Sequence, residues 1–277
     1  MQSTKVLGTE KQSVMGTTHL RALTWLTLLV SVLTVIVSIA GISRPDIYLP
    51  FTPQQMLPGA MSQDLVSLLS AIAILICLWF MRRRSQRAWL IWAGLNAYLF
   101  YAYALYSFER LYNPFYLLYL AITGLTLYSL LFFFIWADES QLAVHMSRPL
   151  AVGVAVYLLL LVVMFVAVWM SLILPGIRTQ TPPDGASIFV LDLTFFLPLL
   201  VLVATLIFRQ VPIGEMLTPI VLIKVAALGC SVLLGVFLSP LFGLPIDVPS
   251  IGIYTMLGVV SAVLAAVSLL SMPKADA

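Results

Sequence analysis

The stretch LAVGVAVYLLLLVVMFVAVWMSLIL, residues 150–174, decides the fold. It contains no Asp, Glu, Lys, Arg or His. Wound as a helix rising about 1.5 Å per residue, it reaches about 37 Å, more than the ~30 Å hydrocarbon core of a bilayer. Seven further stretches share this character: Leu20–Ala40, Met61–Met81, Ala88–Phe108, Pro114–Trp136, Ser187–Phe208, Gly214–Leu238 and Ser250–Leu270. All eight are apolar on every side and lack the in-out alternation of barrel strands. Backbone groups in lipid must pair within their own segment, which leaves helices. The expected fold is an all-α, polytopic integral membrane bundle of eight transmembrane helices.

Composition agrees. Of 277 residues, 62% are hydrophobic and 9% charged, with a mean hydropathy of +1.08. A soluble domain is about 45–50% apolar and about 25% charged, so a water-soluble globule is excluded. The expected organisation is a tail over 1–19, the membrane domain over 20–271 and a tail over 272–277. Connections of about 20 residues or fewer leave no room for a separate domain, which needs ~50.

Orientation follows from the basic residues. Lys5, Lys11, Arg21, Arg82, Arg83, Arg84, Arg87, Arg148, Arg209 and Lys274 fall on one side, against Arg44, Arg110 and Arg178 on the other. Ten against three predicts both termini in the cytoplasm. The net charge of +3 is then a topology signal and no reason to expect nucleic acid. The first span resembles a signal peptide in its basic tail and in Ser38-Ile39-Ala40, but its ~20 apolar residues exceed the 7–15 of a cleaved segment, so it is read as a retained helix. The connections over Gly41–Ala60, with Pro45, Pro50, Pro53 and Pro58, and over Pro175–Ala186, with Pro182-Pro183-Asp184-Gly185, are expected to be non-helical external loops.

Several chemistries have no residues to carry them. Cys77 and Cys230 are isolated, His19 and His145 fall outside the eight stretches, and no metalloprotease, nucleophile-elbow or phosphate-loop motif occurs. No cofactor or metal site is implied.

Charges inside a span are costly and are therefore functional candidates. Glu109 and Arg110 close the third stretch, Asp192 lies in the sixth and Lys224 in the seventh. The sixth and seventh stretches should be antiparallel neighbours, with Asp192 and Lys224 offset by roughly 9 Å along the axis, so a direct salt bridge is strained. Arg110 is the expected partner of Asp192, because a guanidinium grips a carboxylate with two hydrogen bonds. Asp192 also lies five residues past Ser187, a candidate cap, near the positive end of its helix. Pro219 predicts a kink close to Lys224. On the third helix Tyr98, Tyr101, Tyr106, Glu109 and Tyr112 fall within about 140° of one another. On the fourth, which opens on the cap Asn113-Pro114, Tyr116, Tyr119, Thr123 and Thr126 share a face. These two stripes are expected either to form an interfacial aromatic belt with interhelical hydroxyl bonds or to line a polar cavity. Thr24, Thr27, Ser31, Thr34 and Ser38 form a stripe that reads as a packing seam.

The runs Phe189-Val190-Leu191-Asp192-Leu193, Arg209-x-x-Pro212-x-Gly214, Pro219-x-x-x-x-Lys224 and Tyr112-Asn113-Pro114-Phe115, with Leu117-Leu118-Tyr119, resemble a widespread group of uncharacterised bacterial multi-pass membrane proteins. The resemblance implies a bacterial inner-membrane location and a role for Asp192 and Lys224. It supplies no activity. Two functions therefore stand side by side. One is a small-solute permease with an external polar vestibule of Tyr98, Tyr101, Glu109, Arg110, Tyr119 and Asp192, and Lys224 as relay or gate. The other is a non-catalytic accessory or sensing subunit binding a protein partner or lipid. An enzyme is disfavoured for want of a nucleophile-base or metal set.

Overall fold

A computed structural model describes residues 14–272. Its eight long helices are α1 (Thr17–Ser43), α2 (Leu57–Arg82), α3 (Gln86–Phe108), α4 (Tyr116–Trp136), α5 (Arg148–Thr179), α6 (Ala186–Phe208), α7 (Pro212–Leu238) and α8 (Val248–Leu270). Each is long and apolar enough to cross a membrane, and no strand occurs among the described residues. Lys5, Lys11 and Lys274, used in the orientation count, lie outside the described residues. Below, the end where α1 starts and α8 finishes is the basic end, and the opposite one the far end.

The two proline-rich connections are more helical than expected. α1 continues to Ser43, a short 3-10 turn covers Pro45–Tyr48, another covers Gln54–Met56, and α2 starts at Leu57. The prolines cause no conflict, because Pro45 and Pro58 occupy first-turn positions where the missing N–H has no helical partner to lose. α5 likewise runs through Pro175 to Thr179 and stops at Gln180, whose φ of 51° is left-handed. Arg178 in that last turn complements the negative end of the helix. His19 lies in the first turn of α1 and not before it, stacked on Trp136 at 3.9 Å between ring centres.

α3 and α7 form the middle of the bundle. α3 packs on α2, α4 and α7, and α7 packs on α2, α3, α6 and α8. α1 leans on α2 and α4, and α5 on α6. The most buried span is the least apolar one: the most apolar window of α3 averages only 1.2 and is 72% buried, whereas that of α5 averages 2.9 and is 28% buried. The reason is that tyrosine hydroxyls need partners, which lipid cannot supply.

The stripe on α1 is a packing seam, with Thr24, Thr27, Ser31, Thr34 and Ser38 all buried. Two of its hydroxyls bridge to α3: Trp92 Nε1 donates to Thr27 Oγ1 at 3.1 Å, and Ser38 Oγ lies 3.1 Å from the Tyr103 hydroxyl. At the α7–α8 crossing Gly229 meets Gly258 so closely that a Cβ on Gly229 would stand 2.4 Å from the Gly258 nitrogen. Small residues of this kind let backbones touch where no hydrophobic effect drives helices together.

Two helices contain a widened π-turn that hydropathy alone does not reveal. One covers Asp192–Phe196 in α6 and the other Met256–Val260 in α8. In α6 the cause is Pro198, which cannot donate to the carbonyl four residues back and whose ring crowds it. The chain relieves that conflict one turn upstream, at Asp192.

Candidate functional site

Asp192 is the first residue of the α6 π-turn and is 4% exposed. The Tyr101 hydroxyl donates to Oδ1 at 2.8 Å and Trp169 Nε1 donates to Oδ2 at 3.0 Å. Three helices, α3, α5 and α6, thus converge on one carboxylate. Trp169 packs at a tilt on Phe165 and Phe189, with ring centres 5.7 and 5.0 Å away, which fixes the indole's direction.

Lys224 ends on the other side of the same tyrosine. Its Nζ lies 3.8 Å from the centre of the Tyr101 ring and 3.0 Å from that of Phe196, and it makes no hydrogen bond. At 3% exposure the side chain does not snorkel to the basic end. Its charge is held by two aromatic faces, an arrangement worth up to about 2 kcal/mol when desolvated. Phe196 closes the π-turn that Asp192 opens, so the carboxylate and one of the two rings belong to the same irregular turn.

Arg110 does not partner Asp192. It follows the end of α3 in a left-handed conformation, φ 54°, and is exposed at the far end. The turn that ends α3 carries it outward, and the carboxylate is satisfied from below by Tyr101 and Trp169. Glu109 points the other way, into the bundle. Its Oε1 accepts from the Ser187 N–H at 2.8 Å and from Ser187 Oγ at 2.6 Å. Ser187 is therefore not the cap of α6, which falls on Gly185 at φ 71°. Glu109 supplies the acceptor from another helix and satisfies one of the free N–H groups at that helix start.

A cavity of about 260 Å³ lies between these groups in the far half of the bundle, with Asp192 in its wall and Glu109 nearer its opening. Gln63, Tyr101, Tyr106, Trp169 and Ser231 contribute to its lining. It shares Thr52, Met56, Glu109, Gly185 and Ser187 with a wider depression of about 550 Å³, which also holds Arg110 and Asp184. A second, separate cleft of about 240 Å³ has Lys224 in its wall and is otherwise apolar, flanked by Leu127 and Phe134 of α4 and Phe195 and Leu199 of α6. Tyr101 borders both. Asp192 and Lys224 thus face different spaces across one ring.

Of the residues singled out in the sequence, Tyr101, Glu109 and Asp192 meet in the far cavity, Arg110 stands at its mouth, and Lys224 stands behind Tyr101. Tyr98 and Tyr119 lie elsewhere. Tyr98 is buried, with its hydroxyl 3.5 Å from the Gln63 carbonyl. Tyr119 accepts from Asn113 Nδ2 at 3.0 Å, while Asn113 Oδ1 takes the Phe115 N–H at 2.9 Å; α4 starts later than expected, at Tyr116 behind Phe115, so Asn113 and Pro114 form the turn before the helix and not its cap and first residue.

Tyr119 belongs to a group that sequence reasoning passed over, built around Asp64. This carboxylate is 1% exposed, accepts from the Tyr48 hydroxyl at 2.7 Å and lies 3.3 Å from the Tyr106 hydroxyl, which also reaches the Ala60 carbonyl at 3.0 Å. The rings of Tyr48, Tyr103, Tyr106 and Tyr119 pack around it, with centres 5.1–6.0 Å apart in the touching pairs. Gly41 makes room: a Cβ there would stand 1.9 Å from Asp64 Oδ2. Burial and the neighbouring carboxylate push the Tyr48 phenol well up, so it stays protonated and donates. The signal was an acid inside the second apolar stretch. Trp169 and Phe196 were missed too; the former stands out as the one indole inside residues 150–174.

Among the described residues no group of three or more His, Cys, Asp or Glu is placed to hold a metal ion. Both cysteines are free. Comparison with known protein families, with curated proteins and with solved structures returns no match.

Proposed function

We propose that this chain is a permease-like protein of a bacterial inner membrane, with its termini in the cytoplasm, that admits a small solute through the far-end cavity. The observation that carries this reading is that Asp192 and Tyr101 line a cavity that shares Glu109 and Ser187 with the depression at the far end, with a buried lysine against the Tyr101 ring. A purely structural bundle has no use for such an arrangement. An unpaired ammonium in the membrane interior costs several kcal/mol, and apolar residues of the same volume pack as well or better. Asp192 and Lys224 supply opposite charges that a moving Tyr101 can join or part, and this is the relay role assigned to Lys224.

The test is flux in proteoliposomes over a panel of small solutes, with Lys224→Met as the comparison. Loss of flux in a variant that is well folded in detergent supports the reading. No flux of any solute, with a stoichiometric membrane partner retained after both Asp192 and Lys224 are neutralised, replaces it with an accessory subunit.

A further inference from the structure

We infer that the far cavity selects an organic cation, a substituted ammonium with an apolar body. The inference rests on the permease reading for its biological sense, but it concerns binding and can fail separately.

The charge along the route is one-sided. Glu109, Asp184 and Asp192 line the depression and the cavity, against the single guanidinium of Arg110, which sits at the exposed rim. Three carboxylates against one cation leave a negative path that narrows inward, and a low-dielectric wall focuses such a field. Lys224 lines the other cleft, behind the Tyr101 ring, and so reduces this negative path only through Asp192.

The walls say what sort of cation fits. Tyr101, Tyr106, Phe165, Trp169 and Tyr254 line the cavity, and aromatic faces attract alkylated ammonium groups that shed water cheaply. A bare metal ion needs several oxygen ligands at once. Here Glu109 lies just past the end of α3 and Asp192 on α6, and each already accepts two hydrogen bonds. Each carboxylate keeps lone pairs for one more partner. The volume of about 260 Å³ suits a body of one ring plus an ammonium head.

The geometry also ties the cation to Lys224. Asp192 is the nearest carboxylate to the cavity floor and the one acid close behind which a lysine lies, so a bound cation and the Lys224 ammonium draw on the same negative charge. Removing Lys224 should then tighten binding while it stops flux.

The experiment is calorimetric titration of the full-length protein in detergent with benzyltrimethylammonium, benzyl alcohol and benzenesulfonate. The cation is expected to bind at least tenfold more tightly than either control. Asp192→Asn should weaken it tenfold or more, Glu109→Gln several-fold, and Lys224→Met should tighten it at least threefold. The wild-type ranking of the three probes stands even where a variant fails to fold. Equal or tighter binding of the alcohol or the sulfonate overturns the inference, as does cation affinity unchanged in both Asp192→Asn and Glu109→Gln. Flux of benzyltrimethylammonium in proteoliposomes separates the two readings. Cation binding without flux of any solute keeps the site and removes the permease. Flux of an uncharged or anionic solute that depends on Lys224, with no cation binding, keeps the permease and removes the cation.

Discussion

Tyr101 touches Asp192 with its hydroxyl and Lys224 with its ring: the O–H donates to Asp192 Oδ1 at 2.8 Å, and Nζ lies 3.8 Å from the ring centre. One side chain therefore holds an acid and a base apart while contacting both. The hydroxyl contact can be removed alone, or both contacts together.

Tyr101→Phe keeps the ring and deletes the donor. A hydrogen bond to a charged group is worth about 1.5–3 kcal/mol, so thermal unfolding in detergent should show a loss of that order, with Trp169 still holding the second oxygen. Tyr101→Leu deletes both contacts and joins the two spaces, and should cost clearly more. Equal losses in the two variants would mean that the ring contributes nothing.

Lys224→Met should leave thermal stability unchanged or raise it, because it replaces an ammonium without a hydrogen-bond partner by an apolar chain of similar length. Lys224→Arg brings a larger planar group between Tyr101 and Phe196 and should destabilise. A marked drop for the methionine variant would assign Lys224 to the framework.

The Asp64 group should behave in the opposite way. Asp64→Asn and Tyr48→Phe are each expected to lose about 1.5–3 kcal/mol, and because the two residues touch, the double variant should lose less than the sum. Gly41→Ala forces a methyl onto Oδ2 and should destabilise at least as much. Flux per folded molecule should stay close to wild type in Tyr48→Phe, since neither Tyr48 nor Asp64 lines the cavity.

Glu109→Ala should unseat the start of α6. The loss of an acceptor at a helix N-terminus costs about 0.5–2 kcal/mol, and hydrogen exchange at the Ser187 and Ile188 amides should rise. Glu109→Gln retains an oxygen acceptor and should preserve most of that protection. If both variants exchange alike, the negative charge and not the hydrogen bond holds the helix start.

The sequence made the eight spans readable to within a few residues, because a run such as residues 150–174 has no other way to satisfy its backbone in lipid. The proline-rich connections were less readable: proline is costly in helix interiors but welcome at first-turn positions, and pattern alone does not say which applies at Pro45 or Pro58. Asp192 and Lys224 were legible as charges within spans. Their partners were not. Tyr101 comes from far back along the chain, and Trp169, on the preceding helix, reaches Asp192 only because α5 leans on α6. Arg110 was a reasonable partner by chemistry, yet the left-handed turn after α3 aims it outward, a backbone detail invisible at the level of charge and depth. Asp64 was legible as an acid within an apolar run, but the tyrosines that bury it converge from a connection and two helices.

The low hydropathy of the most buried span bears on how the chain enters a membrane. α3 is the least apolar of the spans and carries Arg82, Arg83, Arg84 and Arg87 at or just before its start, so partitioning from the insertion machinery into lipid is weakest for the helix that the finished bundle needs at its centre. Its hydroxyl-bearing face finds partners on α1, α2 and α4. Those neighbours are the segments made just before and just after it. α3 is thus a passenger during biogenesis, carried into the bilayer with its neighbours, and a truncation that ends directly after α3 should fail to anchor it where one that extends through α4 succeeds.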